Sequence, residues 1–147
     1  MRRTLLWLIP MLCLWLVPAF ADDSSFPDTP GQDPVQSGEQ IYMQICQGCH
    51  MPAGQGAVGA GHYPALGGDA ALAAWKYPVL TVLGGRHGMP PFGLPATSLA
   101  LQELRTVHLS DAQIANVVNY IRTSFGNHYP DMVSEAQVAA LPHPGRR

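Results

Sequence analysis

The segment CQGCH, Cys46 to His50, sets two thiols and an imidazole within five consecutive residues. Several chemistries compete for such a cluster. A disulfide between Cys46 and Cys49 would close a tiny loop, which on the chain-entropy account stabilises little. A thioredoxin-like dithiol belongs in a βαβ setting, and no strand signal stands near these cysteines. A zinc site would need a fourth ligand, and adjacent Cys49 and His50 cannot easily both aim at one ion. Covalent attachment of a c-type haem is the remaining chemistry. Each thiol adds across one vinyl group of the porphyrin, and the two-residue gap matches the vinyl separation on a helical turn. The adjacent imidazole then faces the iron as its proximal ligand. A five-residue motif alone is a hypothesis; the export signal described below and the absence of any other cysteine after Cys13 strengthen it.

Haem iron has a second axial position, and its occupant decides the function. A thioether saturates the iron, raises its potential and leaves electron transfer as the main chemistry, whereas an empty position binds small molecules. Met1 and Met11 lie in the export signal, Met43 on the approach to CQGCH, Met51 beside His50, and Met132 in a polar stretch. Met89 stands apart, in RHGMPPFG, far along the chain from His50. Pro90 and Pro91 fix φ and supply no N–H, so they can hold a ligand loop with little flexibility. Met89 is therefore the candidate second ligand. His87, two residues away, and His62 are the competing nitrogen ligands; His108, His128 and His143 carry no motif. No catalytic residues are expected.

The elements that must position these groups follow from periodicity. Residues 1–21, MRRTLLWLIPMLCLWLVPAFA, read as a signal peptide, with Arg2 and Arg3 ahead of an apolar run and Ala19-Phe20-Ala21 as the cleavage site. The run is short for a bilayer span and is broken by Pro10 and Pro18, so cleavage after Ala21 is favoured over a retained anchor. Residues 22–34 form a flexible leader rich in Pro, Asp and Ser. A short helix capped at Ser37, with Ile41, Tyr42 and Ile45 on its apolar side, runs into CQGCH. The glycine-rich stretch from Gly54 to Gly68 reads as an ordered loop wrapped on the cofactor. DAALAAWKYPVLTVLGG holds one or two short helices, and LALQELRTVH a turn or two.

The strongest helix is LSDAQIANVVNYIRTSFGN. Ser110 and Gln113 make a capping box, and Ile114, Val117, Val118 and Ile121 fall at i, i+3, i+4, i+7. SEAQVAAL repeats the cap at Ser134 and Gln137. The expected fold is all-α: a small domain of three to five helices over residues 35–127, with long Gly/Pro loops around one covalent haem. Residues 128–147 form a C-terminal extension with a short helix.

Charge excludes one class of partner. Without residues 1–21 the chain keeps 6 basic against 10 acidic residues, and its only basic cluster is the terminal Arg146-Arg147. Nucleic-acid binding calls for clustered Lys and Arg.

The order of a GxxxY helix, CxxCH, a Gly-rich loop with Pro-Ala-Leu, a GMPxF loop and a last helix ending YIRxxFGN resembles the class I cytochrome c family. The resemblance spans roughly Val35 to Asn127, and its flavour is that of cytochrome c domains serving bacterial periplasmic dehydrogenases. It implies that Cys46 and Cys49 hold the haem, with His50 and Met89 as axial ligands. Pro64 would offer its carbonyl to the proximal His50 ring. Gly38 and Tyr42 would cross the last helix near Tyr120. The chain departs from the family between Pro91 and Leu109, where the link is longer. The implied role is a periplasmic single-electron carrier. Its donor would be a dehydrogenase or bc-type complex, its acceptor a terminal oxidase or another cytochrome, and it would meet the membrane only through partners. A haem sensor with an open sixth position and a permanent cytochrome subunit of a dehydrogenase are the alternatives.

Overall fold

The computed structural model describes residues 36–59 and 61–145; the expected signal peptide and leader lie outside them. Helical structure runs unbroken from Gly38 to His50, but not as one regular helix. It comprises α1 (Gly38–Ile41), a π turn (Tyr42–Cys46) and α2 (Gln47–His50). Ser37 starts it with a capping box: its hydroxyl accepts from the Gln40 amide at 3.2 Å, and Gln40 Oε1 accepts from the Ser37 amide at 2.9 Å. The π turn carries one residue more than an α turn. It therefore changes the angle at which CQGCH leaves the face holding buried Ile41 and Tyr42.

The loop after His50 is ordered and contains what an all-α reading omits. β1 (Ala57–Val58) pairs antiparallel with β2 (His62–Tyr63). Two-residue strands have no room for alternation, so no sequence period announces them. A 3₁₀ turn (Ala70–Ala73) capped by Asp69 leads to α3 (Lys76–Gly84), with Pro78 in the first turn, where its missing N–H is harmless. The longer link holds α4 (Leu99–Glu103). Its base is closed: the Leu109 amide donates to the Phe92 carbonyl at 2.9 Å, and His108 Nδ1 donates to the Leu94 carbonyl at 2.6 Å.

α5 (Asp111–Thr123) organises the rest. Its Ser110–Gln113 capping box forms as the pattern requires, and Ile114, Val117, Val118 and Ile121 are buried. α1, α3 and α6 (Glu135–Ala139) all pack against α5. A Cβ on Gly38 would fall inside the Asn116 carbonyl, so only glycine permits this α1–α5 crossing. Tyr42, Tyr120 and Phe125 fill the space beside it, with ring centroids 4.9 to 5.7 Å apart. No helix among the described residues is long and apolar enough to cross a membrane.

Candidate functional site

Cys46 ends the π turn, and Cys49 and His50 follow in α2. Both cysteines are free thiols; Cys46 is half-buried against the core and Cys49 is exposed. Burial, and then the neighbouring Cys49, pushes the Cys46 thiol up to about 12. That disfavours Cys46 as the attacking thiolate of a redox dithiol. Among the described residues no three His, Cys, Asp or Glu side chains are grouped to hold a metal ion by themselves.

His50 Nδ1 lies 3.0 Å from the Pro64 carbonyl oxygen. A carbonyl only accepts, so Nδ1 carries a proton, and in the neutral ring the lone pair is then on Nε2. The bond orients the ring and leaves its second nitrogen available to a metal. Pro64 is brought there by the loop: the Gly56 amide donates to the His50 carbonyl at 3.1 Å, and the Leu66 amide to the Gly54 carbonyl at 2.7 Å.

Met89 is half-buried and packs on the same core as Cys46. A device that the sequence reading missed fixes it. Arg86 and Met89 pair antiparallel, amide to carbonyl in both directions at 3.1 and 2.9 Å. The two residues between them, His87 and Gly88, both have positive φ, 48° and 93°. This is a two-residue hairpin turn of the kind that usually carries Asn-Gly or Asp-Gly. His-Gly is a rarer version, which is why the segment reads only as generic turn chemistry. The turn puts Met89 at the foot of the hairpin and His87, exposed, at its tip. Gly85 lets the hairpin sit against the end of α3: its φ is 70°, and a Cβ there would run into the Met89 carbonyl. The Arg86 guanidinium lies 5.6 Å over the Tyr77 ring, tying the turn to α3.

The other candidates are elsewhere. His62 is exposed in β2; Met43 and Met132 are exposed; Met51 ends α2 with φ 66°. His143 bonds Asp111 Oδ1 at 2.6 Å and the Leu141 carbonyl at 2.7 Å, so it works in the C-terminal extension.

Two structural residues escaped the sequence reading. Arg122 is fully buried. It donates to the Leu72 carbonyl at 3.0 Å, pairs with Asp131 at 2.5 Å and lies 5.5 Å over the Tyr129 ring. The signal was present: Ile114, Val118 and Arg122 follow one another at i+4, on the apolar stripe of α5. Asn127, also buried, bonds the glycine-rich loop.

These residues fit a covalent haem. Two unpaired thiols stand three apart on a helical turn, an imidazole beside them has a bare Nε2, and a methionine held by a tight turn shares their core. Known proteins point the same way. The Cytochrome c family model matches residues 35–125. The chain is 29% identical over 105 residues to the alcohol dehydrogenase (quinone) cytochrome c subunit of Gluconobacter oxydans, covering 71% of this chain and 22% of that protein. It is 35% identical over 106 residues to the same subunit from Gluconacetobacter polyoxogenes, with 71% and 22% covered. The gluconate 2-dehydrogenase cytochrome c subunit of Pantoea cypripedii is 31% identical over 115 residues, with 74% and 24% covered. The chain thus spans about a quarter of the length of these relatives. With the site and the match over residues 35–125 in agreement, the chain belongs to the cytochrome c family, an electron-transfer family, and carries covalently bound haem c.

Proposed function

We propose that this chain is a mono-haem electron-transfer protein of the periplasm, in which Cys46 and Cys49 hold the porphyrin and His50 and Met89 cap the iron. The observation that carries the reading is the 3.0 Å bond from His50 Nδ1 to the Pro64 carbonyl, which leaves Nε2 bare inside CxxCH. Bound haem supplies reversible one-electron chemistry at its iron. The chain's own contribution is positional. The two cysteines would hold the ring, Pro64 orients His50, and the Arg86–Met89 hairpin would offer the iron a thioether in place of a small molecule. A transfer that changes no ligand needs little rearrangement, so a small transient contact with a partner suffices. The donor is a dehydrogenase or a bc-type complex and the acceptor a terminal oxidase or another cytochrome. In this reading residues 1–21 export the chain, 35–127 form the electron-transfer domain, and 128–147 are an extension.

One observation favours a second reading, a dedicated cytochrome subunit of a dehydrogenase: the relatives carry that description, and this chain corresponds to about a quarter of each. Potentiometric titration of the purified, haem-loaded protein, followed by carbon monoxide on the reduced form, tests the carrier chemistry. A single one-electron wave and no carbon monoxide adduct are expected. Ready uptake overturns the reading in favour of a sensor with an open position. Gel filtration separates the other two, since a permanent subunit co-purifies with its dehydrogenase and a free carrier runs as a monomer.

A further inference from the structure

Asn127 makes three hydrogen bonds from a position that is 4% exposed. Its Nδ2 donates to the Leu66 carbonyl at 2.9 Å and to the Ile121 carbonyl at 3.0 Å, and its Oδ1 accepts from the Gly68 amide at 3.0 Å. Ile121 belongs to the last turn of α5; Leu66 and Gly68 belong to the glycine-rich loop. The end of α5 is shaped to deliver this side chain. Phe125 and Gly126 take positive φ, 57° and 82°, and fold the chain back so that the Asn127 amide donates to the Ser124 carbonyl at 2.9 Å.

The loop it grips has no regular structure between Pro64 and Gly68. Leu66 is fixed on two sides, its amide on the Gly54 carbonyl and its carbonyl on Asn127. Leu66 lies two residues after Pro64, whose carbonyl accepts the His50 ring proton. We propose that Asn127 is a positioning residue for His50. By clamping Leu66 and Gly68 to the end of α5, it holds the Pro64 carbonyl at hydrogen-bond distance from Nδ1–H, and so sets how strongly that bond polarises the imidazole. A hydrogen bond at the far nitrogen raises a ligand's basicity and favours the higher charge on the metal. Removing the clamp therefore lengthens the bond, speeds loss of the Nδ1 proton to solvent and moves the reduction potential upward.

The inference rests on His50 ligating the iron, and that premise is read separately. In the oxidised wild-type protein the His50 ring protons carry a large paramagnetic shift if the ring is a ligand; without that shift the premise fails before any variant is made. The inference itself is tested by Asn127→Ala against Asn119→Ala, both as haem-loaded protein. Asn119 is the right control. It is also a buried asparagine bonded both ways to backbone, with Nδ2 to the Val133 carbonyl at 2.8 Å and Oδ1 to the Val133 amide at 2.7 Å. Its partner, Val133, lies outside the glycine-rich loop. Hydrogen exchange of His50 Nδ1–H by NMR and the reduction potential are measured for both. Asn127→Ala is expected to speed exchange at least tenfold and raise the potential, and Asn119→Ala to do neither. Should Asn127→Ala not retain haem, the isosteric Asn127→Asp, which accepts from Gly68 but donates to neither carbonyl, takes its place. Exchange and potential no different from those of Asn119→Ala would overturn the inference, whatever stability is lost.

Discussion

At the scale of single residues, two contacts make sharp predictions. Gly85 is the point where α3 meets the hairpin that holds Met89, at φ 70° and with no space for a Cβ. Gly85→Ala should lower the urea midpoint by an amount equivalent to about 1–3 kcal/mol, the usual cost of overpacking. It should also let the reduced protein take up some carbon monoxide, because the Met89 carbonyl must move. An unchanged midpoint with no uptake would show that the hairpin does not depend on Gly85. Asp131 offers a pH test. The hydrogen bond from Arg122 holds its carboxyl below the usual carboxylate range. In the unfolded chain the group returns to roughly 4. Between the two values the unfolded chain binds more protons, so this contribution is complete above the unfolded value and fades as pH falls through the folded one. Asp131→Asn should therefore flatten the fall in urea midpoint as pH drops below roughly 4. Equal slopes for the variant and the parent would remove Asp131 from the acid response. The two differ in legibility. Arg122 sits on the apolar stripe of α5, where its i+4 spacing is visible but a charge reads as an exception, and the hairpin at His87-Gly88 lacks the residues that usually announce one.

Among the elements, the α1–α5 crossing is the joint that brings CQGCH onto the core. An exposed helical glycine gains up to about 1 kcal/mol when replaced by alanine. Gly38→Ala should do the opposite and lose about 1–3 kcal/mol, because the new methyl would meet the Asn116 carbonyl. Urea unfolding of both proteins checks the sign, and a stabilised variant would mean that the helices are free to separate. The elements also show what the sequence could tell. α5 and α6 were legible to their caps, since each combines a Ser–Gln capping box with apolar residues at helical spacing. The Ser37 cap was equally plain, but the π turn that follows it was not, because Ile41, Tyr42 and Ile45 suit a regular helix as well as a bulged one. The two-residue strands at Ala57–Val58 and His62–Tyr63 are set by the loop's closure on His50 and Leu66, which are contacts distant in sequence. In the site, CQGCH and the methionine loop stood out by residue type alone. The hydrogen bonds that Asn127 sends to the glycine-rich loop join residues about 60 apart, beyond the reach of any local pattern.

As a whole molecule, the chain is a set of short helices around a modest core. Apart from α5, with 13 residues, α3, with 9, and the π-bulged run from Gly38 to His50, no α-helix described here exceeds five residues. Helices that short do not persist in water without tertiary packing, and a group bound only by the folded state adds to its stability. The double variant Cys46→Ala, Cys49→Ala should accordingly show much weaker helical circular dichroism and a less cooperative melt than the haem-loaded parent. Matching spectra and melts would mean that the polypeptide core is sufficient alone. The central claim is that one sulfur ligand from the Arg86–Met89 hairpin completes an iron held by His50. The absorption spectrum of the oxidised protein tests it most directly, through the weak long-wavelength band of a thioether–iron bond. That band should be present in the parent and vanish in Met89→Ala; its absence from the parent, or its survival in the variant, would contradict the account.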